Sequence, residues 1–283
     1  MSLNLDDRQR AMLEAMGVTV WWPQRDATPA PDQAPVDAIE FKANKPISAS
    51  ESGNLEQIKS APTPTPTQLT PVAPISTAMV DSALASQTWP VLEASVRQCQ
   101  ACGLCKTRKN TVFGVGQAPA TPDAPPQVDW MIVGEAPGEN EDLQGEPFVG
   151  QAGKLLDNML RAIGLARRER VYIANVLKCR PPGNRNPAPE EIAQCAPYLL
   201  RQIELLQPKI ILAMGRFAIN TLLAPSVPGV DAIPVGKLRG QVHRFGSIPV
   251  IVSYHPAYLL RNLPEKGKAW ADLGLAHEVM TSP

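Results

Sequence analysis

The sequence has no apolar run long enough to cross a membrane as a helix, no internal repeat, and no G-x-G-x-x-G fingerprint opening a helix. The first lack excludes a helical membrane protein. The second excludes a solenoid, and the third removes the usual sequence argument for a dinucleotide-binding domain. No secretory leader is expected at the start. In MSLNLDDRQR, Asp6 and Asp7 stand where positive charge and then an apolar stretch would be needed. A cytoplasmic protein is therefore expected, one with no membrane partner, whose five cysteines are ligands or plain thiols rather than disulfides.

Net charge is also lacking, at zero overall, but the balance is uneven along the chain. Residues 1–90 carry six Lys/Arg against ten Asp/Glu, and residues 91–283 carry twenty-one against seventeen. A mildly basic domain behind an acidic arm suits a polyanionic partner without requiring one. What the chain has in excess is proline, thirty in all, with eleven between residues 23 and 90. That stretch, with its Ala, Ser, Thr and Gln, cannot bury enough apolar surface to offset chain entropy. It divides the chain into a short helix and strand at 1–24, a disordered linker at 25–87, and a folded domain at 88–283. In the first part, Met12, Leu13 and Met16 share a helical face, and Val18–Trp22 is extended.

The domain alternates strands with helices. Thr88-Trp89-Pro90 opens a helix, with Thr as cap and Pro in the first turn. Strands are expected at Val128–Val133, Val171–Val176, Lys209–Met214 and Pro249–Tyr254. Helices are expected at Gly153–Ile163, Pro189–Leu206, Arg216–Leu223 and Glu265–Met280. This predicts an α/β fold of three α/β/α layers around a central, mainly parallel four-stranded sheet. In such folds ligands bind beyond the carboxyl ends of the strands. The unusual loops start there: Gly134–Gly138, Asn175 with Lys178-Cys179-Arg180, Gly215-Arg216, and His255-Pro256.

Cys99 and Cys102 form a C-x2-C pair, and Cys179 and Cys195 lie sixteen positions apart far downstream. Such a set can complete a tetrahedral metal site, while buried thiols are the plainer alternative. Cys105 forms a second C-x2-C with Cys102, so spacing alone leaves the choice of ligands open.

The C-x2-C pair, GEAPGENEDLQGEPFVGQAGKLLD, NVLKCRPPGNRNP, Cys195 and HPAYLLRN occur in an order that resembles the type-4 uracil-DNA glycosylases. The resemblance covers about residues 95–275. It implies an enzyme of base excision repair that hydrolyses the N-glycosidic bond of deoxyuridine, releasing uracil and leaving an abasic site. It also implies a [4Fe–4S] cluster on Cys99, Cys102, Cys179 and Cys195, structural in role, and a monomer acting on uracil-containing DNA.

A base-excising enzyme must flip its nucleotide out, hold the base, and stabilise a departing uracil anion. Phe148, otherwise a core aromatic, is by this resemblance the stacking platform. Asn175, otherwise a turn cap, is the uracil reader, because its amide offers a donor and an acceptor to O4 and N3–H. His255 is a hydrogen-bond donor to uracil O2 as negative charge grows there. In the loop opened by Gly134, whose amides can cradle the base, Glu135 is the first choice to position water. A better-known group of uracil glycosylases uses a Gly-Gln-Asp-Pro-Tyr loop. This chain has Ala136 at the Asp position and Gly138 at the Tyr position, so Glu141 is taken as the guard against a C5 methyl, and Asp142 as its support or a loop cap. In the last loop, Leu259 or Leu260 is the wedge that fills the gap behind a flipped base, and Arg261 meets a phosphate. Arg180 and Arg185, with Lys178, Arg216 and Arg239, are expected on the same positive rim. A related group of glycosylases that bonds covalently to DNA uses a His in an inserted basic loop. Residues 180–187 here contain none, so turnover is expected.

Residues 8–22 resemble the start of the psi subunit of the bacterial polymerase III clamp loader, implying a chi-like replisome partner docked through Trp21 and Trp22. The alternative to the enzyme is accordingly a non-catalytic, psi-like accessory or DNA-binding protein.

Overall fold

The computed structural model describes residues 82–119 and 128–282. The interaction segment expected at 8–22, and the linker up to residue 81, lie outside the described residues.

Four apolar runs form the centre of the sheet as β2 (Trp130–Gly134), β3 (Val171–Asn175), β4 (Ile210–Met214) and β6 (Ile248–Ser253), and all four are parallel. Two short antiparallel strands, β1 (Val115–Gly116) and β5 (Val242–Phe245), flank them in the order β1-β3-β2-β4-β6-β5. The sheet thus has six strands rather than the expected four. The added edges lack the mark that identified the others. β1 is two residues long, and β5 reads VHRF with its first three residues exposed or half-exposed.

The helices are α1 (Ser82–Ala85), α2 (Trp89–Gln98), α3 (Glu139–Gln144), α4 (Gln151–Ala162) and α5 (Pro189–Leu206). They continue as α6 (Arg216–Leu223), α7 (Val235–Leu238), α8 (Pro256–Arg261) and α9 (Lys266–Thr281). Alternate residues of each central strand face opposite layers. Met131 and Val133 pack with Leu199 and Ile203 of α5 and Ile219 of α6. Trp130 and Ile132 pack with Leu156 and Met159 of α4 and Leu273 of α9. Because both faces are covered, the interior residues of these strands are almost all apolar, hence the continuous hydrophobic runs, and the polar Asn175 and Ser253 stand only at the carboxyl ends of β3 and β6. Each large aliphatic side chain enclosed in this way contributes about 1.5–3 kcal/mol.

The fold starts earlier than expected. Leu84 of α1 is buried with Leu92, Val96 and Phe113, and Arg201 donates to the Gln87 carbonyl at 2.8 and 3.0 Å. The stretch before Thr88 has the composition of the linker, so only packing reveals it. Thr88 does occupy the cap position of α2, through its carbonyl, which accepts from Leu92 N at 2.8 Å, and not through its side chain.

Register then decides where the chemistry lies. Gly134 pairs with Asn175, Val133 with Ala213, and Met214 with Ser253. The four carboxyl ends are level, and the loops that leave them share one rim.

Candidate active site

That rim encloses a pocket of about 640 Å³ whose lining includes Glu135, Glu141, Phe148, Asn175, Arg216, His255 and Arg261. Gly134 ends β2 immediately before the lining segment Glu135–Gly138. A Cβ on Gly134 would lie 2.4 Å from Asn175 Oδ1 and 2.5 Å from Phe148 Cζ, so the approach of these two side chains requires glycine. The Glu135 side chain turns to the start of α6, where Oε1 accepts from Phe217 N at 3.2 Å. Burial raises the pKa of its carboxyl above the usual range, and the Phe217 and Arg216 amides pull it partly back.

Phe148 is buried and has φ +55°, a left-handed conformation that disfavours a side chain by about 1–2 kcal/mol. Its ring stacks on His255 at 5.4 Å between centroids and 27° between planes. Glu141 holds the turn that follows, since Oε1 accepts from Val149 N at 2.9 Å and Gly150 N at 3.0 Å, and Oε2 from Gly138 N at 3.1 Å. The carboxylate expected to guard the C5 position is therefore occupied by three backbone amides. Its observed work is to shape the loop. Asp142 fastens a different loop, accepting from Lys109 N at 2.9 Å and Asn110 N at 3.3 Å.

Asn175 ends β3 with 2% of its surface exposed, and its Oδ1 is buried with no hydrogen-bond partner among the described residues. An unsatisfied buried acceptor is destabilising by about 1–3 kcal/mol, a cost that a ligand donor would remove. His255 caps α8, and its Nδ1 accepts from Ala257 N at 3.1 Å. With Nδ1 an acceptor, the neutral ring carries its proton on Nε2. Burial, reinforced by the positive charge of Arg261 and opposed by Glu141, brings the pKa of this histidine down to about 4. The site thus places a neutral imidazole N–H donor beside an aromatic face and an amide.

A pH dependence follows. The His255 ring stays neutral from about pH 8 down through 6.5, where an ordinary imidazole protonates, and takes up its proton only as the pH falls through about 4. The raised Glu135 carboxyl adds its own loss of charge on the acid side. Stability follows the same sign: the unfolded histidine takes its proton first, so its effect on folding turns unfavourable as the pH drops from 6.5 towards 4. Single-turnover rates against pH check this, and an inflection near pH 6.5 that vanishes in His255→Ala would contradict it.

Several expected rim residues lie elsewhere. Leu259 is 0% exposed in the core against α4 and α9, whereas Leu260 is 41% exposed, so only Leu260 is free to act as a wedge. Lys178 is buried, its Nζ donating to Asn175 O at 2.8 Å and Gln202 Oε1 at 2.7 Å. Arg239 pairs with Asp272 at 2.7 Å and covers the ring of Tyr254, a wall residue, without itself lining the pocket. Arg185 and Arg216 line the pocket, though Arg185 is held by both oxygens of Glu191 and Arg216 donates to the Asp231 carbonyl. Arg180 lies outside the lining and bonds Asn184 at 2.7 Å. Two tyrosines without an expected role, Tyr254 and Tyr258, join the wall with rings 5.0 Å apart. Tyr254 was legible only as the end of an expected strand.

The cysteines gather away from this pocket. Cys99, Cys102, Cys105, Cys179 and Cys195 line one small recess behind the Asn175–Cys179 segment. Among the described residues, no three His, Cys, Asp or Glu side chains are placed to hold a single metal ion. Donors do point at two of the sulfurs: Arg108 Nη1 at Cys179 Sγ and Lys178 N at Cys195 Sγ, both at 3.2 Å. Arg108 also donates to the Cys99 carbonyl at 2.9 Å and so ties the C-x2-C turn to the downstream pair. Burial raises the pKa of both thiols, that of Cys195 to about 12, so each becomes a thiolate only against a compensating positive centre.

An α/β/α fold with a stacked aromatic, an unsatisfied amide and an imidazole donor at one rim defines a class of base-recognising protein, and known proteins give the same class. Residues 121–274 match the family described as the uracil DNA glycosylase superfamily. Within it, a type-4 uracil-DNA glycosylase of Archaeoglobus fulgidus is 47% identical over 169 residues, which are 58% of this chain and 79% of that protein. One from Saccharolobus solfataricus is 42% identical over 66% of this chain and 84% of its own length. One from Thermotoga maritima is 44% identical over 61% and 83%. The chain belongs to the type-4 uracil-DNA glycosylases.

Proposed function

We infer that this chain removes uracil from DNA by hydrolysing the bond between uracil N1 and the deoxyribose C1′, and that the rim pocket performs the reaction. The observation that carries this reading is the unpartnered Asn175 Oδ1, buried within the same pocket as the Phe148 ring and the His255 imidazole. A flipped uracil offers that oxygen its N3–H and offers the amide NH2 its O4. A cytosine presents the opposite pattern, so the same amide discriminates. Phe148 stacks on the base. As the C1′–N1 bond breaks, the bonding electrons pass to the uracil ring, and His255 Nε2–H donates to O2, where negative charge builds. Glu135, ionised, faces the cationic sugar and orients the water whose oxygen bonds to C1′, and the proton that this water sheds goes to the uracil anion. Gly134 and the loop amides hold the base edge, with Glu141 shaping that loop.

At the DNA surface, Leu260 fills the space left by the flipped base and Arg261 meets a phosphate. Arg185 and Arg180 stand near the same groove, each already partnered, and give a weaker electrostatic contribution. Among the described residues no helix is long and apolar enough to cross a membrane, and we place the enzyme in the cytoplasm as a monomer. The arm at 1–24, on the linker at 25–87, is proposed to dock a chi-like replisome partner through residues 8–22.

Cys99, Cys102, Cys179 and Cys195 are proposed to hold a [4Fe–4S] cluster. In support, the set is all-thiol and has N–H donors aimed at two of its sulfurs. When bound, the cluster supplies a structural clamp between the C-x2-C turn and the Cys179–Cys195 segment. Cys179→Ser is expected to lose iron, sulfide and the visible thiolate-to-iron absorption, with earlier melting. Full iron content in that variant would refute the ligand set.

Duplex oligonucleotides carrying one uracil opposite G or A, followed by alkaline cleavage of abasic sites, test the activity directly. His255→Ala protein serves as the control for contaminating enzyme. Cleavage that disappears in the variant supports the catalytic reading. No cleavage by iron-loaded protein would favour a psi-like accessory protein instead.

A further inference from the structure

Phe148 does not hold its own pose. Its backbone is left-handed, the ring must lie flat against a base, and nothing in the local sequence favours that conformation. The constraint comes from a residue nineteen positions away that does not line the pocket. Arg167 Nη1 donates to the Pro147 carbonyl at 2.9 Å, and Nη2 donates to the Phe148 carbonyl. The third edge of the guanidinium, Nε, donates to Asp157 Oδ1 on α4, so the fork is anchored to a helix of the core layer. On the far side, the Glu141 carboxylate takes the next two amides, those of Val149 and Gly150. Beneath, Gly153 leaves room for the Phe148 carbonyl, which a Cβ would meet at 1.7 Å.

A solvated arginine at a helix–strand connection has no reason to grip two successive carbonyls. A planar fork with five donors can do so while keeping a carboxylate, and a lysine cannot. We propose that Arg167 is a positioning residue for the reaction, fixing the peptide on which the Phe148 stacking ring is mounted. This rests on the reading of Phe148 as the platform for the flipped uracil. Ring placement then depends on a charged group outside the pocket. Misplacing a reacting group by about an ångström lowers a rate by as much as about a hundredfold, and a loosened platform falls within that range.

The test is a double-mutant cycle on the full-length, iron-loaded protein, reading the maximal single-turnover excision rate, the DNA concentration at half-saturation and the melting temperature. Arg167→Ala is expected to lower the maximal rate about tenfold with half-saturation unchanged, and Arg167→Lys to recover only part of the loss. In a Phe148→Ala background, Arg167→Ala should add no further loss, because its effect passes through the ring. A wild-type rate in Arg167→Ala, or losses that multiply in the double variant, would overturn the proposal. If Arg167→Ala fails to fold, Asp157→Asn weakens only the anchor. It is expected to slow excision roughly two- to threefold in the Phe148 protein and not in Phe148→Ala, and a wild-type rate in both backgrounds would equally overturn the proposal. Phe148→Ala at the wild-type rate would instead refute the platform reading itself.

Discussion

His255→Ala is expected to slow single-turnover excision by about a hundred- to a thousandfold while leaving DNA binding nearly intact. The imidazole is a neutral donor at every pH above about 4, its tautomer set by the Ala257 amide on Nδ1. In the proposed reaction its proton faces a uracil oxygen that is a weak acceptor in the ground state and a strong one once N1 bears the bonding electrons. An interaction that strengthens only as the bond breaks lowers the barrier without tightening the substrate complex. The substitution also removes a side-chain cap from α8, worth about 1 kcal/mol at most typical sites, a small loss for the whole domain. Rate and affinity must be measured on the same preparation. A variant that binds tenfold more weakly yet excises normally would make His255 a binding residue only.

Gly134→Ala is expected to reduce excision by more than about a hundredfold although the substitution adds a single methyl group. That methyl would stand 2.4 Å from Asn175 Oδ1 and 2.5 Å from Phe148 Cζ. Both obstructing atoms are the ends of side chains, so the sheet can survive by displacing them. Those two side chains are the proposed reader and platform. The expected result is therefore a folded protein with a normal melting transition and cluster absorption, whose pocket no longer fits a base. A rate within threefold of wild type would show that reader and platform do not need to meet over Gly134.

The central strands were legible in the sequence because burial on both faces leaves an unbroken apolar run, as in Val171–Ala174 and Ile210–Met214. Pro189–Leu206 and Arg216–Leu223 were bounded correctly from periodicity and proline alone. The short edges β1 and β5 and the one-turn helix Ser82–Ala85 were not, since they are held by pairing and packing with distant partners rather than by a local pattern. Glu141 shows the same limit within the site. Its motif position placed it beside the pocket correctly, but a motif does not say which atoms a carboxylate accepts from, and here these are three backbone amides. Leu259 and Leu260 are adjacent and chemically identical in sequence, and only the direction of α8 over the core separates the buried one from the exposed one.

The sequence by itself determined the layered α/β architecture, the loops that carry Glu135, Phe148, Asn175 and His255, and the family these motifs define. Periodicity and motif order are one-dimensional properties. The tertiary structure alone decided that Asn175 keeps an unpartnered acceptor, that His255 is neutral with its proton on Nε2, that Lys178 is buried, and that Arg167 grips the platform. Each of these is set by which groups from distant segments meet out of water, and burial and hydrogen-bond pairing exist only after the chain has closed on itself.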